Sequence, residues 1–208
     1  MKESKLWPIV EKFTKQHFRC FKTGINKGLQ NFGTVDIIGI KRIIKDVGSS
    51  NEIIAIEVKT ESSKFCKKVG QALGYSIFAN RCYLAVYFNG KDKFTDDQKN
   101  IANKLGVGLI EIRGKKCKEV LTSPYYQTLE SLSLPFIWRL HIVKCQICNI
   151  FFDVKNLSRN FTKSVNNDKS YVYWLENLSK ELKEDKRTQI YQRRYICSDC
   201  IKLFDNGE

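Results

Sequence analysis

Several things are missing from this sequence, and each absence closes off a class of protein. No apolar run approaches the ~20 residues that a membrane-spanning helix needs. The longest runs, 35–40 and 53–56, are strand-sized. The opening MKESKLWPIVEKF carries charges and no apolar h-region, so a secretory signal is not expected there. Repeats and low-complexity segments are absent too, so the chain has to be read element by element. The expectation is a soluble, intracellular protein of the cytoplasm or nucleoid, with no membrane partner.

Acidic residues are also in short supply. The 208 residues hold 36 Lys and Arg against 22 Asp and Glu, a net charge of +14. The excess lies toward the front: residues 1–140 hold 24 bases and 13 acids, and residues 141–208 hold 12 and 9. A single-sign field of this size favours a polyanionic partner, of which a phosphate backbone is the commonest. Solubility and acidic lipid are the competing explanations. Hydrophobic content of 42% with 12% aromatics is ample for a packed core.

The eight cysteines do not form a secreted disulfide framework. Cys20, Cys66, Cys82 and Cys117 are scattered, whereas Cys145/Cys148 and Cys197/Cys200 form two C-x-x-C pairs. That pattern predicts reduced thiols plus one structural Zn²⁺ bound by four thiolates. The 48 residues between Cys148 and Cys197 exceed a compact ribbon's usual spacing. A charged helix over 171–192, with Trp174, Leu175, Leu178 and Leu182 on one face, accounts for the excess as an insertion. Redox pairs and coincidence are the alternatives. Arg193 and Arg194, with Tyr191 and Tyr195 beside them, suit nucleic-acid contact, although a packing or partner-contact role fits almost as well.

Of three prolines, Pro8 suits a first helical turn, and Leu6, Trp7, Val10, Phe13 and His17 follow at helical spacing to about residue 18. A short strand over 19–25 and a glycine-containing loop, GINKGLQNFG, are expected next. Residues 35–43 and 52–60 are rich in β-branched residues and read as a hairpin around DVGSSN. Ser62 or Ser63 would cap a helix over 64–79, 82–88 is an apolar strand, 96–105 a helix entered through Thr95, and 107–113 the last strand. The pattern weakens from 115, where Pro124 and Pro135 mark a connector. The predicted fold is α/β, a mixed central sheet flanked by helices, plus a small zinc-binding domain with a helical insertion. The expected divisions are 1–125, a connector at 126–140, and 141–208.

Alternation along 52–60 puts Ile53, Ala55, Glu57 and Lys59 on one face and Ile54, Ile56 and Val58 on the other. Glu57 and Lys59 therefore point the same way, and Asp36 sits at the start of the neighbouring strand. Charges flanked by apolar runs are costly without a metal or counter-ion. Two carboxylates and a lysine suit phosphodiester hydrolysis, in which carboxylates hold Mg²⁺ and a cation orients water. A buried Glu57–Lys59 ion pair, with Asp36 as a turn residue, fits equally well.

GTVDIIGI, holding Asp36, and IEVK, holding Glu57 and Lys59, with twenty residues between the two acids, resemble the signature of the PD-(D/E)XK nucleases, with Val35 in place of the proline. The resemblance covers about residues 5–112. It implies a restriction-endonuclease-like fold with Asp36, Glu57 and the Val58 carbonyl as Mg²⁺ (or Mn²⁺) ligands and Lys59 as the water-positioning residue. Glu11 would be an additional acid from the first helix. Gln71 and Tyr75 resemble the Q-x-x-x-Y element of the lambda-exonuclease-like branch. Independently of the family, Lys64, Lys68, Gln71 and Tyr75 share one helix face, suited either to a phosphate backbone or merely to solvent.

The expectation is a metal-dependent nuclease with DNA as substrate ahead of RNA, and a homodimer if both strands are cut. Its rivals are a nucleic-acid-binding domain that does not cut, a zinc-ribbon adaptor in a transcription, repair or recombination assembly, and an enzyme using Lys59 as an amine nucleophile.

Overall fold

The computed structural model describes residues 2–29, 33–44, 49–129, 132, 133, 137, 140–144 and 151–153. The chain divides into two compact units, Met1–Ile43 with Asn51–Leu140, and Ile44–Ser50 with His141–Glu208.

The first unit is α/β. Its elements are α1 (Trp7–His17), β1 (Lys22–Leu29), β2 (Gly33–Ile44), β3 (Ser49–Lys59), α2 (Phe65–Gly74), β4 (Arg81–Tyr87), α3 (Asp96–Leu105), β5 (Gly108–Arg113) and β6 (Lys116–Leu121). The six strands form one mixed sheet in the order β1-β2-β3-β4-β5-β6. β3, β4 and β5 run parallel, while β1–β2 and β5–β6 are antiparallel. β2 and β3 neighbour each other across only residues 45–48, too short a link for a parallel crossover.

The three parallel strands are buried on both faces, which is why they read as nearly unbroken apolar runs. On one side Leu6 and Val10 of the α1 region pack on Ile37, Ile54, Ile56, Val58, Tyr83 and Ile110. On the other, Phe65, Val69 and Ala72 of α2 and Ala102 of α3 cover Leu84, Val86 and Leu109. Each fully buried Ile or Val of this set contributes about 1.5–3 kcal/mol relative to an exposed one. α1 approaches β2 closely at Gly39, where an added Cβ would lie 2.7 Å from Thr14 Cγ2 and 2.6 Å from Cys20 Sγ.

α3 begins as expected at Thr95, whose hydroxyl accepts from Gln98 N while the Gln98 side chain accepts from Thr95 N. It ends on Gly106 in the left-handed region, φ 75°. Three expectations need correction. The strand expected over 19–25 instead runs over 22–29, because the start of the expected glycine loop pairs with β2 at Gly24, Ile25, Lys27, Gly28 and Leu29; its turn chemistry survives at Asn26, φ 50°. The helix expected over 64–79 stops at Gly74 and passes into a 3-10 turn, Tyr75–Ile77. Neither serine caps it: Lys64, φ 50°, occupies the cap position, and Ser63 Oγ donates instead to Glu61.

The third correction is an additional strand. β6 lies where a connector was expected and pairs with β5 around Gly114. Its KCKEVL sequence reads as polar because it is an edge strand with lysines outward. Glu119 of β6 accepts from Tyr83 Oη at 2.9 Å and pairs with His17 Nε2 at 2.6 Å, tying this edge to α1. Residues 122–129 also pack on this unit: Tyr126 N donates to Asn80 O at 2.7 Å and Leu129 N to Ile77 O at 3.0 Å.

In the second unit the described residues form a two-stranded antiparallel ladder, β7 (Ile142–Lys144) with β8 (Phe151–Asp153). The four C-x-x-C cysteines, Arg193, Arg194 and the helix expected over 171–192 lie outside the described residues. Cys20, Cys66, Cys82 and Cys117 are free thiols, and burial pushes those of Cys20, Cys82 and Cys117 up to about 12. No described helix is long and apolar enough to cross a membrane.

Candidate functional site

β2 and β3 bring Asp36, Glu57 and Lys59 together. Asp36 Oδ2 accepts from the backbone N–H of Val58 at 2.8 Å, which fixes the acid of one strand between the acid and the lysine of the next. Glu57 is 1% exposed. Its Oε1 lies 2.6 Å from Lys59 Nζ, and its Oε2 accepts from the Tyr75 hydroxyl. Tyr75 Oη also lies 3.1 Å from Thr34 O, at the start of β2. An apolar strand with period-two alternation thus holds a nearly dry carboxylate, compensated on one side by an ammonium and on the other by a phenol.

The electrostatics follow from this crowding. Burial pushes Asp36 up to about 6; the Val58 N–H and Lys59 oppose the rise, and the charges of Glu57 and Glu3 add to it. Burial works against the Lys59 ammonium, yet its hydrogen bond and charge contact with Glu57, with Glu3 and Asp36 behind, hold it above the ordinary lysine value. Tyr75 is raised by burial first and then by Glu57, so it remains a proton donor to that carboxylate. Gln71 acts on the Tyr75 hydroxyl in the opposite sense, lowering its pKa against the larger rise. Tyr75 therefore serves Glu57 directly.

Other expected residues go elsewhere. Glu11 accepts from Thr23 Oγ1 at 2.9 Å, joining α1 to β1, and is not among the groups that shift Asp36 or Lys59. The acid that reaches the site from the N-terminal region is Glu3, whose Oε2 lies 3.4 Å from Lys59 Nζ. Glu3 sits in a 3-10 turn (Glu3–Lys5) ahead of α1, off the helical pattern that made Glu11 conspicuous. The face expected for Lys64, Lys68, Gln71 and Tyr75 divides by burial, from exposed Lys64 and Gln71 to buried Tyr75. Tyr75 turns inward, whereas Lys68 Nζ donates to Glu61 O at 2.8 Å and lies 3.6 Å from Glu61 Oε1. Lys64 is exposed beside them.

Among the described residues no group of three or more His, Cys, Asp or Glu side chains is placed to hold a metal ion. No protein-family model matches the chain, and no curated protein matches it. A solved structure of SPO1766, a protein of unknown function from Silicibacter pomeroyi, is similar to 67% of this chain and 84% of its own, with a TM-score of 0.47 and 17% identity.

Proposed function

We propose that this chain is a divalent-metal-dependent nuclease of the restriction-endonuclease-like PD-(D/E)XK kind, acting on DNA ahead of RNA. The observation that carries the proposal is the convergence of Asp36, Glu57 and Lys59 on adjacent strands, with Val58 N bound to Asp36. A buried ion pair alone would explain Glu57 and Lys59. It leaves a second carboxylate beside them, Asp36, whose pKa is raised first by burial and then by the charge of Glu57, against the pull of the Val58 N–H and Lys59.

The donor set fits Mg²⁺ or Mn²⁺. Both take oxygen ligands, and Mg²⁺ keeps several of its waters, so two carboxylates and the Val58 carbonyl are a sufficient protein share. When bound, the ion would supply charge neutralisation and an acidified water. Asp36 and Glu57 would hold it, Lys59 would orient the nucleophile, and Tyr75 would fix the Glu57 carboxylate in one orientation. Glu3, 3.4 Å from Lys59 Nζ, would hold that ammonium from the far side. The +14 charge supplies the attraction for a phosphate backbone. For the second unit we propose one structural Zn²⁺ held by Cys145, Cys148, Cys197 and Cys200, with Arg193 and Arg194 assisting DNA contact.

The test is incubation of the purified chain with supercoiled plasmid, linear duplex, single-stranded DNA and RNA in Mg²⁺, Mn²⁺ or EDTA, beside Asp36→Ala and Lys59→Ala. Cleavage should need metal and disappear in both variants while binding persists. Binding of all four substrates without any cleavage would replace this reading with that of a nucleic-acid-binding module.

A further inference from the structure

A cleft of about 410 Å³ opens at the carboxyl ends of β3 and β4, a size within the ~300–1,000 Å³ typical of small-ligand sites. Lys59 is the register partner of Val86. The next residue on each strand, Thr60 and Tyr87, lines the cleft, so it begins one residue beyond the Asp36–Glu57–Lys59 group.

Both walls are held in place by basic side chains. Arg113 donates to Gly90 O at 2.8 Å and to Asp92 O, is itself paired with Glu111 at 3.1 Å, and sits 5.9 Å from the Phe88 ring centroid. Opposite, Lys68 anchors Glu61 through its main-chain oxygen. The cleft is therefore preformed, and a ligand would not have to order it.

The lining chemistry is selective. Glu61 and Asp92 contribute carboxylates, Asn89 an amide, and Tyr87 and Phe88 aromatic surface. The Ser63 hydroxyl and Lys68 ammonium keep Glu61 in its ionised, acceptor-only form. The two carboxylates, that of Glu61 already paired with Lys68, accept N–H donors. Exocyclic amines of bases offer two N–H bonds, and carboxylates pair with cytosine N4, whereas an unpaired thymine offers only its single N3–H. Aromatic surface adds stacking that every base can use. Lys93, an exposed residue of the lining, suits the phosphate that follows the base.

We infer that this cleft is a subsite for one unpaired, amine-bearing nucleobase next to the scissile phosphate. This rests on the nuclease reading and narrows its substrate class: a base in a duplex cannot enter such a cleft without leaving the stack, so the substrate is single-stranded or carries an unpaired flank.

The test is binding of the full chain, in EDTA at one fixed salt concentration, to fluorescent oligo-dC, oligo-dT and a blunt duplex, read by anisotropy. Oligo-dC should bind about tenfold tighter than oligo-dT, and the duplex more weakly than oligo-dC. The Glu61→Gln/Asp92→Asn double variant changes two surface carboxylates and should reduce oligo-dC to the level of oligo-dT. Asn89→Ala, also on the surface, should weaken oligo-dC severalfold. Equal binding of oligo-dC and oligo-dT, tighter binding of duplex, or an unchanged dC preference in the double variant would overturn the subsite. A parallel Mg²⁺ cleavage assay separates the two ideas: cleavage without base preference removes the subsite alone, and base preference without cleavage removes the nuclease reading alone.

Discussion

Tyr75 donates its hydroxyl to Glu57, so the end of a helix reaches across to orient a carboxylate in the middle strand of a hairpin and sheet junction. Tyr75→Phe removes that donor and keeps the ring. Glu57 then loses one of its two compensating partners while remaining buried, and divalent-metal affinity should fall about 10- to 100-fold. Stability should fall by about 1–2 kcal/mol. Isothermal titration with Mn²⁺ and urea denaturation measure the two separately; unchanged metal binding would reduce Tyr75 to a packing residue.

Asp36 ties strand geometry to charge, and its two roles separate on substitution. Asp36→Asn can still accept from Val58 N, whereas Asp36→Ala cannot. At pH 4, where the folded Asp36 is protonated and neutral like Asn, the Asn variant should unfold within ~0.5 kcal/mol of the parent and the Ala variant about 1 kcal/mol below it, and metal-dependent cleavage at neutral pH should be lost in both. Thermal melts with cleavage assays decide it; an Asn variant that still cuts at the parent rate would refute a ligand role.

The same carboxyl gives a pH dependence of definite sign. Its folded pKa, about 6, lies above the ordinary 3.8, so between those values the native state binds more protons than the unfolded chain. Stability from this group is present below pH ~4 and is lost as pH rises toward 6. Denaturation of the parent minus that of Asp36→Asn should show this loss, and Mg²⁺, which binds the ionised form, should recover it above pH 6 in the parent alone. A difference curve flat from pH 4 to 7 would contradict the burial argument.

Glu3 and Glu11 make a paired contrast. Glu3→Gln weakens the charge set around Lys59 and should lower cleavage about tenfold with little change in stability. Glu11→Gln disturbs only the link to Thr23 and should leave cleavage unchanged, as should Thr23→Val. Kinetics that moved with Glu11 rather than Glu3 would reverse the assignment.

Metal analysis tests the second unit independently. Atomic emission should find about one zinc per chain, and Cys145→Ser with Cys197→Ser should abolish it.

The sheet's central strands were legible because burial on both faces writes itself as uninterrupted Ile, Val and Leu, and α3 because Thr95 and Gln98 form a complete capping box. β6 was not, since an edge strand needs no apolar pattern when lysines face water. β1 was hidden by glycines whose role is cross-strand fit rather than turning. In the site, Asp36, Glu57 and Lys59 could be found from strand alternation and spacing. Glu3 could not, because its approach to Lys59 is set by where the chain enters α1, a tertiary relation with no local periodicity.

Gly39 shares β2 with Asp36 and sits where α1 crosses the strand with no room for a methyl group. A side chain at position 39 would have to displace Thr14 of α1 and Cys20, for a reason unrelated to chemistry at the site, although it lies only three residues from Asp36. Pressure on Thr14 falls on the helix that the Glu3 turn leads into. Cleavage lost in a Gly39→Ala variant would then be a disorder of posture, with all the proposed site residues still present.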